Sequence, residues 1–174
     1  FPYTTLFRSY MGSFMEYKNV ETLIATMEWL PGFQLNLLSR ISEGRKSALQ
    51  KLIPAGATIN FLNGVSEDEY HQQLVNATAL VTASRDEGFG IPLVEAMSRG
   101  IPVVVSDIEI FKEIGGEAAL YCDQDSPQAF ASAVKRLTKD DNWVLISKKS
   151  QEQAAKFSWT RSSESLLKAL DSIS

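Results

Sequence analysis

The chain has 174 residues, 44% of them hydrophobic, which suits one domain with a substantial core. Its formal net charge of -4 argues against a nucleic-acid partner, because such binders usually present a net basic face. One cysteine, Cys122, and one histidine, His71, exclude an intrachain disulfide and the usual His/Cys metal cluster. No apolar run approaches the roughly 18 residues of a membrane-spanning helix. We therefore expect a protein of a reducing compartment, such as the cytoplasm, without a structural zinc site.

The first nine residues differ from the rest. Phe1 to Ser9 resemble the translation of a common sequencing adapter, and the chain has no initiator methionine. We therefore treat residues 1–9 as non-native, leave them out of the fold prediction and assign residues 10–174 to one domain. On this interpretation the native sequence continues upstream of Tyr10. The alternative is a genuine, strand-like N terminus.

The following segment alternates helical and strand patterns. Apolar residues recur at helical spacing from Val20 to Leu30, and Asn19 precedes them as a candidate N-cap. A strand at 33–37, a helix at 47–53 and a strand at 59–61 come next.

The second half continues the alternation. Ser66 and Glu69 have the spacing of a capping box, which predicts a helix before the apolar strand 79–83. A glycine-containing loop leads to a helix at 92–99 and a strand at 101–105. The remaining predicted elements are a helix at 108–114, a strand at 119–121, and helices at 127–139, 143–156 and 160–172. This order predicts an α/β fold: a Rossmann-like parallel sheet with helices on both faces and ligands at the carboxyl ends of its strands.

The loop after strand 79–83 carries the most informative residues. Gly88 and Gly90 permit a sharp turn and a close ligand, and the next helix offers unpaired N–H groups where a phosphate would fit. Glu95, one turn into that helix, could reach two neighbouring ribose hydroxyls, and Glu87 would face a sugar. The simpler alternative is a plain turn, with Glu95 stabilising its helix and Glu87 solvated.

The segment from Glu87 to Glu95 resembles the acidic motif of glycosyltransferase family 4, in which two glutamates enclose a Gly-Phe-Gly turn. The similarity continues at Tyr10-Met11-Gly12 and residues 18–24 upstream, and at residues 99–104 and 157–159 downstream. The resemblance implies a GT-B fold, of which this chain would be the C-terminal, nucleotide-sugar-binding half. The N-terminal, acceptor-binding half would be missing.

The resemblance also implies roles for single residues. Lys18 would contact the donor diphosphate, Glu95 the ribose and Glu87 the transferred sugar, while the turn ending at Val65 would lie against the base. The implied donor-binding set is Gly12, Ser13, Lys18, Val65, Glu87, Gly88, Phe89, Gly90, Ile91 and Glu95, with Lys18 and Glu87 also catalytic. Many family members have an arginine where this chain has Ser13, so one diphosphate contact is in doubt. From its position alone, Lys18 would instead be a solvated charge near a helix start.

As a whole, the resemblance implies a retaining transferase that moves a hexose from a nucleoside-diphosphate sugar to an acceptor hydroxyl without a metal, and we expect no cofactor. We expect the chain alone to be inactive, because the acceptor half is absent. That half could also attach the protein to the membrane surface, and the last helix would cross to it, leaving Leu166, Leu167 and Leu170 partly exposed. The donor base, the sugar and the acceptor stay open.

Three other functions compete with transfer. They are a non-catalytic nucleotide-sugar-binding subunit, a GT-B epimerase and a dinucleotide-binding oxidoreductase. The oxidoreductase fits poorly, because Leu93 stands where the third glycine of its fingerprint should be.

Overall fold

The computed structural model describes residues 5–11, 14–139 and 141–171. In these ranges parallel strands alternate with helices, so the predicted α/β class is confirmed. The strands are β1 (Thr5–Met11), β2 (Phe33–Leu38), β3 (Thr58–Leu62), β4 (Ala79–Thr82), β5 (Val103–Ser106) and β6 (Ala119–Cys122). The α-helices are α1 (Val20–Thr26), α2 (Glu43–Gln50), α3 (Glu67–Val75), α4 (Ile91–Ser98), α5 (Glu109–Gly115), α6 (Pro127–Leu137), α7 (Asn142–Ala154) and α8 (Trp159–Asp171).

The sheet has a topological switch point between β1 and β4. Its strand order is β3-β2-β1-β4-β5-β6, and every neighbouring pair is parallel. From β1, the strands β2 and β3 extend the sheet in one direction. β4 then lies on the other side of β1, and β5 and β6 extend the sheet in the opposite direction. In open parallel sheets a crevice forms at such a point, outside the carboxyl ends of the two strands. The loops that follow β1 and β4 both begin at this crevice.

The N-terminal segment belongs to the sheet. β1 begins at Thr5, and its residues Phe7, Arg8 and Ser9 pair with β2 on one side and β4 on the other. Leaving residues 5–9 out of the fold prediction was therefore wrong. Backbone hydrogen bonds on both edges hold such a strand, and its composition alone does not reveal them. The non-native origin of residues 1–9 stays a prediction.

Two apolar layers cover the sheet. Phe130 of α6 is fully buried in one layer, and Phe111 of α5 is fully buried in the other. Side chains of β5 alternate between the layers: Val104 lies in the first, and Val103 and Val105 lie in the second. A strand buried on both faces reads as a continuous apolar run, as this one does.

Two serine caps that the sequence predicts are present. The Glu69 backbone N–H donates to Ser66 Oγ at 3.2 Å, and the Ser66 N–H donates to Glu69 Oε2 at 2.8 Å, which completes the capping box of α3. At α6, the Ala129 N–H donates to Ser126 Oγ at 3.3 Å.

Two other helix starts differ from the prediction. α2 begins at Glu43 and not at residue 47, because Ser42 Oγ accepts from the Arg45 N–H and starts the helix early in a polar stretch. Asn19 occupies the N-cap position of α1, but its backbone is left-handed (φ 52°) and its side chain does not cap the helix. Its Nδ2 instead donates to the carbonyl of Gln124 at 2.6 Å.

Candidate functional site

An ion pair joins the two loops at the switch point. Lys18 ends a short 3-10 helix after β1, Glu87 lies in the loop after β4, and Lys18 Nζ is 2.7 Å from Glu87 Oε1. The two side chains are only 8% and 13% exposed. The alternatives in which either residue is a solvated charge are therefore wrong.

Glu87 is also held from the strand that precedes it. The buried Ser84 hydroxyl donates to Glu87 Oε1 at 2.9 Å, and Thr82 Oγ1 lies 3.0 Å from Ser84 Oγ. Sequence reasoning missed both hydroxyls. The signal that could have revealed them is the presence of two polar residues, Thr82 and Ser84, at the end of an apolar, buried strand.

Three contacts connect three loops around this pair. The Arg85 N–H donates to the carbonyl of Tyr17 at 2.7 Å, which connects the loop after β4 to the loop after β1. The Arg85 guanidinium pairs with Asp125 in the loop after β6. The bond from Asn19 to the carbonyl of Gln124 connects the same third loop to the start of α1.

The glycine turn delivers the N terminus of α4 to the same place. Gly90 has a left-handed backbone (φ 86°) and is the N-cap of α4, in which Pro92 occupies the first turn. Pro92 has no N–H, and the Leu93 N–H donates to the Gly90 carbonyl at 2.9 Å. The N–H groups that an anion could approach at this helix start are therefore those of Gly90 and Ile91. Lys18, Glu87, Gly90, Pro92 and Leu93 line a small pocket with Leu80 and Thr82.

Phe89 and Ile91 flank this turn with exposed apolar surface. Their side chains are 46% and 50% exposed, and the Phe89 ring meets Phe157 edge-on, with centroids 6.1 Å apart. A Cβ added at the neighbouring Gly88 would meet no atom within 4 Å.

Glu95 contacts α3. Its Oε2 accepts a hydrogen bond from the Tyr70 hydroxyl at 2.7 Å. Burial, followed by the contact with Glu95, raises the pKa of Tyr70 above its ordinary range, so Tyr70 stays protonated and donates. Val65 is half-buried just before α3.

The remaining predicted residues fall outside this group. Gly12 and Ser13 lie outside the described residues, so their roles stay predictions. On α8, Leu167 and Leu170 are 60% and 53% exposed, as expected, while the side chain of Leu166 is not described. In the described part of the chain, no helix is long and apolar enough to cross a membrane.

The model of the family Glycosyl transferases group 1 matches residues 4–157. The chain belongs to this family. The predicted assignment to glycosyltransferase family 4, with the fold of the C-terminal half of a GT-B enzyme, is thereby confirmed.

Individual relatives agree with this assignment. The O-antigen chain mannosyltransferase RfbU of Salmonella typhimurium is 33% identical over 130 residues, which cover 73% of this chain and 37% of RfbU. The O-antigen chain mannosyltransferase B of Escherichia coli is 30% identical over 159 residues, 86% of this chain and 42% of that protein. The crystal structure of Anabaena HepE in complex with UDP-glucose shares the fold (TM-score 0.81, 16% identity, 97% of this chain and 49% of HepE). This group 1 glycosyltransferase domain is thus related to mannosyltransferases and spans less than half the length of these relatives.

Alanine at Gly90 should destabilise the domain, whereas alanine at Gly88 should not. A left-handed backbone costs a residue with a Cβ about 1–2 kcal/mol, and a Cβ at Gly90 would lie 3.2 Å from Phe111 Cε1. A Cβ at Gly88 meets nothing within 4 Å. Urea unfolding of Gly90→Ala and Gly88→Ala measures both effects, and equal losses would contradict the structural role given to Gly90.

Removing one member of the ion pair should lower the free energy of unfolding more than removing both members. Lys18→Met leaves the Glu87 carboxylate without its cation in a site with little water, a loss of about 3 kcal/mol in the free energy of unfolding. Lys18→Met with Glu87→Gln removes the charge as well and should recover more than half of that loss. The comparison includes Glu87→Gln alone. If the losses of the two single variants in urea unfolding add up to the loss of the double variant, the two groups do not interact.

Proposed function

We propose that this domain binds the nucleoside diphosphate of a sugar donor at the switch point. Together with an acceptor-binding half, it would transfer the donor hexose to an acceptor hydroxyl with retention of configuration. The observation that carries the proposal is the Lys18–Glu87 pair beside the N terminus of α4, which puts a cation, an anion and the positive end of a helix dipole in one crevice.

The cationic groups suit the leaving diphosphate. Breaking the bond between sugar and phosphate builds negative charge on the diphosphate, and donors that are already in place stabilise that charge. The ammonium group of Lys18 and the N–H groups of Gly90 and Ile91, at the positive end of the α4 dipole, would supply this stabilisation. A bound diphosphate would also compensate for the burial of the Lys18 ammonium group, in addition to the charge of Glu87.

The anionic group suits the sugar. As the bond breaks the sugar becomes cation-like, and a nearby carboxylate stabilises a cation. Glu87 is held toward the crevice by Ser84 and Lys18, so its carboxylate is oriented before any ligand arrives. We assign it the positioning of the sugar and the stabilisation of its charge.

The nucleoside would extend from the diphosphate toward α3. Glu95 lies about one turn inside α4, where its carboxylate would bind the ribose hydroxyls, and the turn before Val65 would face the base. The relatives are named as mannosyltransferases, so we propose mannose as the transferred hexose.

Titration calorimetry of the chain with UDP, GDP and ADP tests this proposal. One of the three should bind, and Glu95→Ala should weaken its binding about tenfold or more, because two hydrogen bonds to a charged acceptor are lost. Glu117→Ala, which removes an exposed carboxylate outside the crevice, is the matched control and should bind like the wild type. No binding by wild-type protein whose circular dichroism shows it folded, or equal behaviour of the two variants, would contradict the proposal.

A further inference from the structure

Tyr70, which is not among the site residues predicted from the sequence, contacts Glu95 of the proposed donor site. Tyr70 is only 7% exposed, and its ring packs in the apolar layer that also contains Leu74 and Met97. Its hydroxyl emerges from this layer to donate to Glu95 Oε2 at 2.7 Å. The tyrosine therefore connects a buried, fixed ring to a carboxylate that is partly accessible.

This hydrogen bond leaves Glu95 able to accept more. An ionised carboxylate has about four acceptor positions, and the Tyr70 hydroxyl occupies one of them on Oε2. Among the described residues, this is the side-chain hydrogen bond that Glu95 accepts, so the carboxylate keeps capacity for two neighbouring hydroxyls. Tyr70 is also a donor throughout the neutral pH range, because its burial and Glu95 disfavour the phenolate.

The position of Tyr70 is itself determined by contacts of α3. Asn36 of β2 is 3% exposed, and its Nδ2 donates to Gln73 Oε1 on α3 at 3.0 Å. The Oδ1 of Asn36 accepts from Asn60 Nδ2 at 2.9 Å, so the amide cannot rotate freely. The capping box at Ser66 fixes the other end of the helix. Tyr70 thus extends from a helix anchored at both ends.

A second contact sets the spacing between α3 and α4. Arg99 follows α4, and its Nη1 donates to the carbonyl of Glu95 at 3.1 Å. The Nη2 of the same guanidinium lies 3.0 Å from Nδ1 of His71, the residue after Tyr70. The backbones that carry Tyr70 and Glu95 are therefore linked on the exposed side as well.

We infer that Tyr70 is a positioning residue, which orients the Glu95 carboxylate to receive the two hydroxyls of the donor ribose. The inference rests on the role proposed above for Glu95 and extends it to a residue of another helix. A free glutamate side chain loses rotamer entropy when it is ordered. Tyr70 imposes part of that order before the ligand binds, which favours binding.

Tyr70→Phe removes the hydroxyl and keeps the ring, so it tests this role directly. The probes are UDP, GDP and ADP, each compared with its 2′-deoxy counterpart by calorimetry. Wild type should prefer the ribose form, and Tyr70→Phe should reduce that preference about three- to tenfold, which corresponds to one typical hydrogen bond. A purely structural defect would weaken both forms equally and leave the preference unchanged.

Tyr121→Phe is the matched control. It also removes a part-buried hydroxyl, one that donates to the carbonyl of Gly116 at 2.7 Å and does not contact Glu95. This variant should keep the wild-type preference for ribose.

Two outcomes would overturn the inference, and they are distinguishable. If Tyr70→Phe keeps the full ribose preference while Glu95→Ala still loses binding, Tyr70 has no positioning role and the proposed function stands. If folded wild-type protein binds no nucleoside diphosphate, the proposed function fails and the inference fails with it.

Discussion

The buried pair of Lys18 and Glu87 is the constraint on which the site depends. Taking two charges out of water is expensive, and the cost is recovered only with close contact and further hydrogen bonds. Both are present: the charged atoms are 2.7 Å apart, and Ser84 donates to the same carboxylate oxygen. The loops after β1 and β4 can therefore approach each other at the switch point with a cation and an anion held between them.

The rest of the site is organised around this pair. The left-handed turn at Gly90 directs the start of α4 into the crevice, and Glu95 follows one turn later. Across from it, Tyr70 presents a hydroxyl from a helix that the Asn36 amide secures to the sheet. Diphosphate, sugar and ribose would thus meet groups that are oriented before binding, which reduces the entropy lost when a ligand binds.

Local signals predicted much of the fold and part of the site. Caps at Ser66 and Ser126 and the apolar run of β5 could be read from neighbouring residues, because each depends on short-range chemistry. The contact of Lys18 with Glu87 could not, since 69 positions separate them and only the pairing of β1 with β4 brings them together. Tyr70 was missed for the same reason. The start of β1 was missed because an unusual composition was taken as grounds to exclude residues that pair in the sheet.

Amide NMR of the chain during titration with UDP, GDP or ADP tests most directly whether the switch point is the diphosphate site. The ligand that binds should shift the amide signals of Lys18, Glu87, Gly90 and Ile91, because the phosphates would contact the N–H groups at the start of α4 and separate the ion pair. Shifts confined to another surface, such as the 3-10 turn Gly116–Ala118 and the facing part of α7, would contradict the account.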